Sequence, residues 1–423
     1  MRKVLVITYY WPPAGGPGVQ RWLKFVKYFR DFGVEPVLYI PENPHYPLLD
    51  ESFLQDIPDD LKIYKYPIKE PYRIAAIFSS KKTKRISSGI IQTKNQSFLE
   101  KALLWIRGNL FIPDARKFWV KPSVSFLKVV LEKEGIDTII TTGPPHSVHL
   151  IGYYLKQAKQ LNWIADFRDP WTTIGYHKKL KLTSTAEKKH KKLESDVLNT
   201  ADKIIVTSAT TKQEFQHITI QPIKVITNGF DGEIAASDKL DSKFTIAHIG
   251  SLLSGRNPKN LWMVLSELVN ENIEFKNALQ LRFIGVVSEE ILASLAELGL
   301  QGFIEIVGYV SHQEALAYQK SSQILLLVEI DSQDTIGIIP GKLFEYMAAK
   351  RPILGVGPVN WEVSGIVNET ETGRIFDYAD EIALKNVLLS WFQDYQKGEL
   401  QISSGSIEQY SRRELTRKLV EYI

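Results

Sequence analysis

Short apolar runs recur along the chain, each closed by a glycine, a proline or a polar cluster and followed by a longer stretch where apolar residues return every three or four positions. Runs without polar alternation are the pattern of parallel strands covered on both faces, and the stretches between them read as the covering helices. Val4–Thr8 is the first such run. It leads into a glycine-bearing turn, then a predicted helix from about Val19 to Phe32 with Trp22, Phe25, Val26 and Phe29 on one stripe and Gly33 as its stop. Strand Val37–Ile40 completes a βαβ unit. The rhythm resumes with helix Ser123–Glu134, strand Thr138–Thr142, helix Val148–Gln160, strand Trp163–Asp166, a lysine-rich helix Lys178–Leu198, and strands Lys203–Thr207 and Lys224–Thr227.

A polar linker, Glu233–Ser242, carries no core pattern, and after it the same logic starts again. Strands are predicted at Phe244–Ile249, Leu281–Val286, Ile304–Val307, Ile324–Val328, Pro352–Gly355 and Gly373–Phe376, with helices at Lys259–Asn270 and around Glu381–Tyr395. The fold class is therefore α/β, with two Rossmann-like βα domains spanning 1–235 and 236–406. The last segment, 407–423, reads as a helix with Tyr410, Leu415, Leu419 and Val420 as its apolar stripe, expected to cross back onto the first domain. Residues 41–115 are the least regular part, broken by prolines at 41, 44, 47, 58, 67 and 71. They include the basic patch Ser79–Arg85 and an apolar, aromatic segment Phe98–Phe111 with Trp105 and Arg107. Such a pairing either docks on an anionic membrane surface or is a solvated loop beside a helix packed on the core.

Composition narrows the class. A chain of 423 residues exceeds what one core serves, in keeping with two domains. Hydrophobic residues at 44% and charged residues at 24% are those of a globular protein, and a net charge of +4 is too small to argue for a nucleic-acid partner. With no cysteine, disulfides and thiolate metal sites are excluded, and a reducing compartment fits. The first apolar run is too short for a signal peptide, and no stretch of about 18 apolar residues occurs. A cytoplasmic protein is expected, with peripheral membrane contact left open.

Candidate chemistry gathers where predicted strands end, the edge at which open parallel sheets bind ligands. Gly15, Gly16 and Gly18 follow the first strand and allow close backbone approach to a polar group, but they lack the Gly-x-Gly-x-x-Gly spacing of a dinucleotide site. His146 lies in Gly143-Pro-Pro-His-Ser147, and Asp166-Phe-Arg-Asp-Pro-Trp171 places Asp166, Arg168 and Asp169 at another strand tip. In the second half Arg256 and Lys259 follow the strand Phe244–Ile249, as a bidentate and a point-charge phosphate binder. Gly341 and Lys342 open a helix whose N-terminal N–H groups suit a phosphate, and Glu345 follows as an acceptor for sugar hydroxyls.

Taken together, Tyr10-Trp-Pro-Pro-Ala-Gly-Gly, Gly143-Pro-Pro-His-Ser, Asp166-Phe-Arg-Asp-Pro-Trp, His248-Ile-Gly-Ser and Pro340-Gly-Lys-Leu-Phe-Glu-Tyr-Met-Ala resemble a GT-B glycosyltransferase, most similar to glycosyltransferase family 4, over almost the whole chain. The resemblance implies two domains facing each other across a cleft and a retaining transfer from a nucleotide-activated sugar, held by the C-terminal domain. The acceptor, a glycan or a lipid-linked molecule, would lie on the N-terminal domain, in assembly of a surface polysaccharide or glycolipid, with no obligatory metal or cofactor. Glu345 would bind ribose hydroxyls, and Arg256 with Lys259 or Lys342 would neutralise the diphosphate. Gly15 and Gly16 would approach the donor phosphate. Asp169, Arg168 and His146 would face the reacting centre. Two departures stand out: the first of the family's two acids falls at Gly337, and its His-Asp pair is Arg168-Asp169 here. A nucleotide-sugar epimerase on the same scaffold, or a noncatalytic nucleotide-sugar-binding protein, are the alternatives.

Overall fold

The computed structural model describes all residues except 71–97, 179, 233–238, 403–404 and 406. The basic patch 79–85 and most of the expected linker 233–242 fall outside the described residues. The chain divides into two compact units, one formed by Met1–Asn228 with Arg412–Ile423 and the other by Gly229–Ser411.

The first unit is built on a seven-stranded parallel sheet of β1 (Arg2–Ile7), β2 (Val34–Pro41), β3 (Lys62–Tyr66), β4 (Thr138–Gly143), β5 (Asn162–Phe167), β6 (Lys203–Val206) and β7 (Ile223–Val225), in spatial order β3-β2-β1-β4-β5-β6-β7. Successive side chains of a strand leave on opposite faces. In β1, Leu5 and Ile7 enter a core with Trp119, Leu127 and Trp163, while Val4 and Val6 enter another with Trp22, Phe25 and Leu38. Helix Pro17–Tyr28 covers the second face together with the last helix, Arg412–Val420, whose Leu415 and Leu419 join that core. The last helix is tied down by Arg413 on Asp31 at 3.0 Å and by Lys203 donating to the Tyr422 carbonyl at 2.7 Å.

The second unit carries a six-stranded parallel sheet of β8 (Phe244–Ile249), β9 (Leu279–Ile284), β10 (Ile304–Gly308), β11 (Ile324–Val328), β12 (Ile353–Val356) and β13 (Gly373–Phe376), in order β10-β9-β8-β11-β12-β13. Ile246, Leu326 and Val328 pack on one face with Trp262 and Phe275, and Ala247, Leu325 and Leu327 on the other with Phe344 and Tyr346.

The structure corrects the sequence expectation in four places. The irregular stretch contains an edge strand, β3, which pairs with β2. Its Lys62 and Tyr64 reach the Glu134 carboxylate at 2.9 and 2.6 Å, and with Lys3 these bonds hold that carboxyl at a pKa of about 2. The helix expected from Ser123 begins at Lys117 and carries Pro122 inside it. The lysine-rich helix is two pieces, Gly175–Lys178 and Ser184–Thr200, and the hydroxyl of Thr183 caps the second by accepting from Ala186 N–H. The terminal helix is preceded by a turn at Glu408–Tyr410 and an extended Ser411.

Candidate functional site

In the second unit the strand order reverses at β8, which lies between β9 and β11. Loops leaving β8 and β11 therefore diverge around one crevice at the carboxyl edge. Arg256, on the loop after β8, lays its guanidinium against Glu329, with Nε to Oε1 and Nη2 to Oε2 each at 3.1 Å. Glu329 directly follows β11 and is fully buried, and Arg256 is its counterion. The pairing engages Nε and Nη2, and the remaining N–H donors at Nη1 suit a further anion.

Lys342 is the second residue of helix Gly341–Ala348. Its Nζ stands 3.4 Å from His248 Nε2, and His248 Nδ1 stands 3.0 Å from the Leu326 carbonyl. That carbonyl can only accept, so Nδ1 carries the proton and Nε2 turns a lone pair to the ammonium. Backbone packing makes the room: Gly250 has φ +112°, a Cβ there would lie 3.0 Å from Lys342 Nζ, and a Cβ on Gly285 would lie 2.6 Å from the Gly250 carbonyl oxygen. Burial first, and then the Arg256 charge, pull the Lys342 pKa down to about 8 against the opposing pull of Glu329 and Glu345. An anion received between Arg256 and Lys342 relieves their repulsion. The helix begins at Pro340 with no side-chain cap and no acid in its first turn, so the amides of Gly341 and Lys342 add to the same anion-binding edge. Glu345, one turn on, has Oε1 at 3.1 Å from His312 Nε2 and Oε2 at 3.1 Å from Gln319 Nε2. Lys259 is exposed at the start of helix Lys259–Glu271, and no hydrogen bond or ion pair among the described residues joins it to Arg256, Lys342 or Glu345.

In the first unit β1 lies between β2 and β4, and the glycine loop leaves β1. The Gly15 N–H donates to Leu48 O at 3.0 Å, and Gly16, at φ +105°, precedes helix Pro17–Tyr28 without a side-chain cap. Asp166 is not an open acid. It is fully buried, accepting from Arg21 Nη2 at 3.0 Å, Trp22 Nε1 at 2.7 Å and Thr142 Oγ1 at 2.8 Å, and so fastens the first helix to β5. Arg168 turns back on the proline loop, donating from Nε to Gly143 O at 3.1 Å and from Nη2 to Pro144 O. Its Nη1 occupies the space where a Cβ on Gly18 would stand, 1.9 Å away. Gly18→Ala is therefore expected to push the guanidinium off the Gly143 and Pro144 carbonyls and to lower stability by about 1 kcal/mol, the net worth of such hydrogen bonds. Gly365→Ala, at an exposed position of helix Glu362–Thr370 with nothing near its missing Cβ, is expected to be neutral or stabilising. Urea midpoints for the two variants check this, and equal midpoints would refute it.

Asp169 follows half-buried, with no hydrogen bond to another described residue, and burial pushes its carboxyl above the ordinary aspartate range against the pull of Arg168. His146 stacks on Trp171 with centroids 4.8 Å apart, and both its ring nitrogens are buried without a partner among the described residues. Burial holds it neutral, far below the usual histidine range, as it holds His149 at about 3 and His177 at about 4. Asp114, absent from the sequence reading, caps the helix Ser147–Ala158 by accepting from Ser147 N–H and Oγ, each at 2.8 Å.

The sequence reading also missed Glu329, His312 and Gln319. Glu329 had a signal: it is the charged residue that ends an apolar run, the position at which the other candidates were found.

Residues 243–394 match the family model for glycosyl transferases group 1. Among solved structures the chain is similar to a glycosyltransferase from Rickettsia africae (14% identity, TM-score 0.62, covering 100% of this chain and 97% of that one). It is also similar to Anabaena HepE in complex with UDP and glucose (12%, 0.61, 100% and 99%). A third is a mutant of S. aureus TarM in complex with fondaparinux, alpha-GlcNAc-glycerol and UDP (13%, 0.53, 100% and 99%). No curated protein matches the sequence. The fold is thus of the GT-B type, with two Rossmann-like units, and the family match over the second unit supports a glycosyltransferase.

Proposed function

We propose that this glycosyltransferase moves a sugar from a nucleoside diphosphate donor to a glycan or lipid-linked acceptor, with retention of configuration, in the assembly of a surface polysaccharide or glycolipid. The observation that carries the proposal is the grouping of Arg256, Lys342 and the uncapped helix Gly341–Ala348 at the strand-order reversal of the second unit, within the family-matched segment. Arg256 and Lys342 hold the diphosphate and stabilise the charge that grows on it as the glycosidic bond breaks, with Lys259 adding long-range attraction. Glu345 receives the ribose hydroxyls. Gly15 and Gly16 approach the donor phosphate, and Asp169, with Arg168 and His146, faces the reacting centre and orients a hydroxyl there. That UDP is bound by the Anabaena and S. aureus proteins makes UDP-sugars the first donors to try.

The test is release of nucleoside diphosphate from a panel of nucleotide sugars with and without membrane-extracted acceptors, the anomeric configuration of the product being read by NMR. Release that requires acceptor supports transfer. Conversion of the sugar without acceptor indicates an epimerase, and binding without turnover a noncatalytic protein.

The acceptor class brings a membrane into the proposal. Among the described residues no helix is long and apolar enough to cross one. Helix Phe98–Leu110 exposes Trp105, Ile106 and Leu110, and the start of helix Lys117–Glu134 exposes Phe118. Lys117 stands over the rings of Phe111 and Phe118, at 5.3 and 5.2 Å. Lys189 is near enough to add a second positive charge beside these aromatics, and burial, followed by that charge, lowers the Lys117 pKa. A peripheral protein on the cytoplasmic face would set this patch on anionic lipid. Trp105 is the exposed tryptophan, so vesicles of anionic brominated lipid are expected to quench fluorescence in the wild type and not in Trp105→Phe. Equal quenching in both proteins, or by zwitterionic vesicles, would place the contact elsewhere.

A further inference from the structure

Glu345 is held from two directions by residues of a single helix. His312 opens helix His312–Ser321, with Ser311 and Glu314 forming a reciprocal capping box that fixes this first turn. Its Nε2 lies 3.1 Å from Glu345 Oε1. Gln319, seven residues on and almost two full turns along the same helix, sends Nε2 to Glu345 Oε2 at 3.1 Å. The two anchors differ in character: His312 is about a third exposed, whereas Gln319 is buried, with no partner among the described residues for its own Oε1. A carboxylate gripped at both oxygens loses its rotational freedom. A carboxylate has about four acceptor sites, two on each oxygen, and its oxygens lie about 2.2 Å apart, the spacing suited to a pair of neighbouring hydroxyls.

We propose that His312 and Gln319 are positioning residues that aim Glu345 at a vicinal diol, and that they thereby set the preference of this site for ribonucleotides over 2′-deoxyribonucleotides. The inference rests on the reading of the second unit as the nucleotide-sugar site. The clamp's contribution is differential. A single-hydroxyl ligand gains one hydrogen bond from Glu345 whatever the exact angle of the carboxylate, since the carboxylate turns to meet it. A diol gains both only if the carboxylate is already in place, because reorienting to one hydroxyl spoils the other. Losing an anchor therefore weakens the binding of the ribo form and leaves the deoxy form little changed.

The experiment uses the full chain. UDP, GDP, ADP and CDP are screened by calorimetry, and for each that binds, the dissociation constant is measured against its 2′-deoxy analogue. The wild type is expected to favour the ribo form by about 10-fold or more, the worth of a hydrogen bond to a charged group. In His312→Ala that ratio is expected to fall to about 2–3, chiefly through weaker ribo binding, and in His312→Gln, which keeps an amide N–H, to recover in part. Gln319→Leu repeats the test at the other oxygen. As that site is buried, its melting temperature is measured alongside, and His312, on the surface, provides the variant that folds in either case. An unchanged ratio in His312→Ala, or equal loss for both sugars, overturns the inference while leaving the nucleotide site standing. Failure of all four diphosphates to bind the wild type overturns the site and the inference together.

Discussion

Asp166→Ala is expected to lower the stability of the first unit by about 3–5 kcal/mol, the loss typical of breaking a buried ion pair from one side. The substitution leaves the Arg21 guanidinium, its side chain 1% exposed, without the carboxylate it faces at 3.0 Å. It also strands the indole N–H of Trp22 and the hydroxyl of Thr142 on the same oxygen. Arg21 retains its bond to the Thr227 carbonyl at 2.7 Å, which does not neutralise its charge. For a unit of this size the shift corresponds to a fall in melting temperature of roughly 10 °C or more. Asp169→Ala, three residues along the same motif, is expected to leave the melting temperature almost unchanged and to reduce transfer, because that carboxylate anchors no described neighbour. Calorimetric melts of both variants decide the matter. A wild-type melt for Asp166→Ala would show that the pair is not holding the first helix to the sheet.

The second large effect is expected at Lys342. Removing a charge that stabilises a leaving diphosphate lowers turnover by about 10²–10³, so Lys342→Ala should reach that range with an unchanged melting temperature. The pKa of about 8 gives a further signature in the wild type. Below pH 8 the ammonium is charged and attracts the donor. As pH rises through 8 the free enzyme loses that charge, so kcat/KM for the donor is expected to fall about tenfold per unit once past it. A bound diphosphate restores the proton by its own negative charge, and kcat should stay flat over the same interval. Initial rates between pH 6.5 and 9.5 test both limbs. A flat kcat/KM, or an equal fall in kcat, would remove Lys342 from donor binding.

What the sequence disclosed and what it withheld follow one physical division. Strands β8 and β11 were legible because a strand buried on both faces has to be an apolar run, and so the loops at their ends, with Arg256 and Lys342, were legible too. Edge strand β3 was hidden: between Pro58 and Pro67 its alternating Lys-Ile-Tyr-Lys-Tyr looks like loop, because one face of an edge strand stays polar. The partner of Asp166 was hidden for another reason. Arg21 lies 145 residues away, and a sequence does not reveal which distant cation a carboxylate meets. The same limit concealed the bond between Arg256 and Glu329, 73 residues apart, and the clamp on Glu345. Lys342 and Glu345 lie three apart on one helix, a spacing that the sequence shows, but their own partners it does not. The structure sends the first to His248 and the second to His312.

Asp114 gives the first unit an electrostatic character of its own. The N-terminus of helix Ser147–Ala158 is a place where a phosphate would otherwise settle, but the chain has already put a carboxylate there. A ligand phosphate arriving at the end of β4 meets repulsion instead of a vacancy. The helix Gly341–Ala348 of the second unit meets no such anion among the described residues. The two N-termini thus differ: the one at the end of β4 is met by a carboxylate of the chain itself, the one at Gly341 by none among the described residues. A neutral hydroxyl can approach the end of β4 without opposition, whereas an anion is favoured at the N-terminus of Gly341–Ala348 before any specific contact is made.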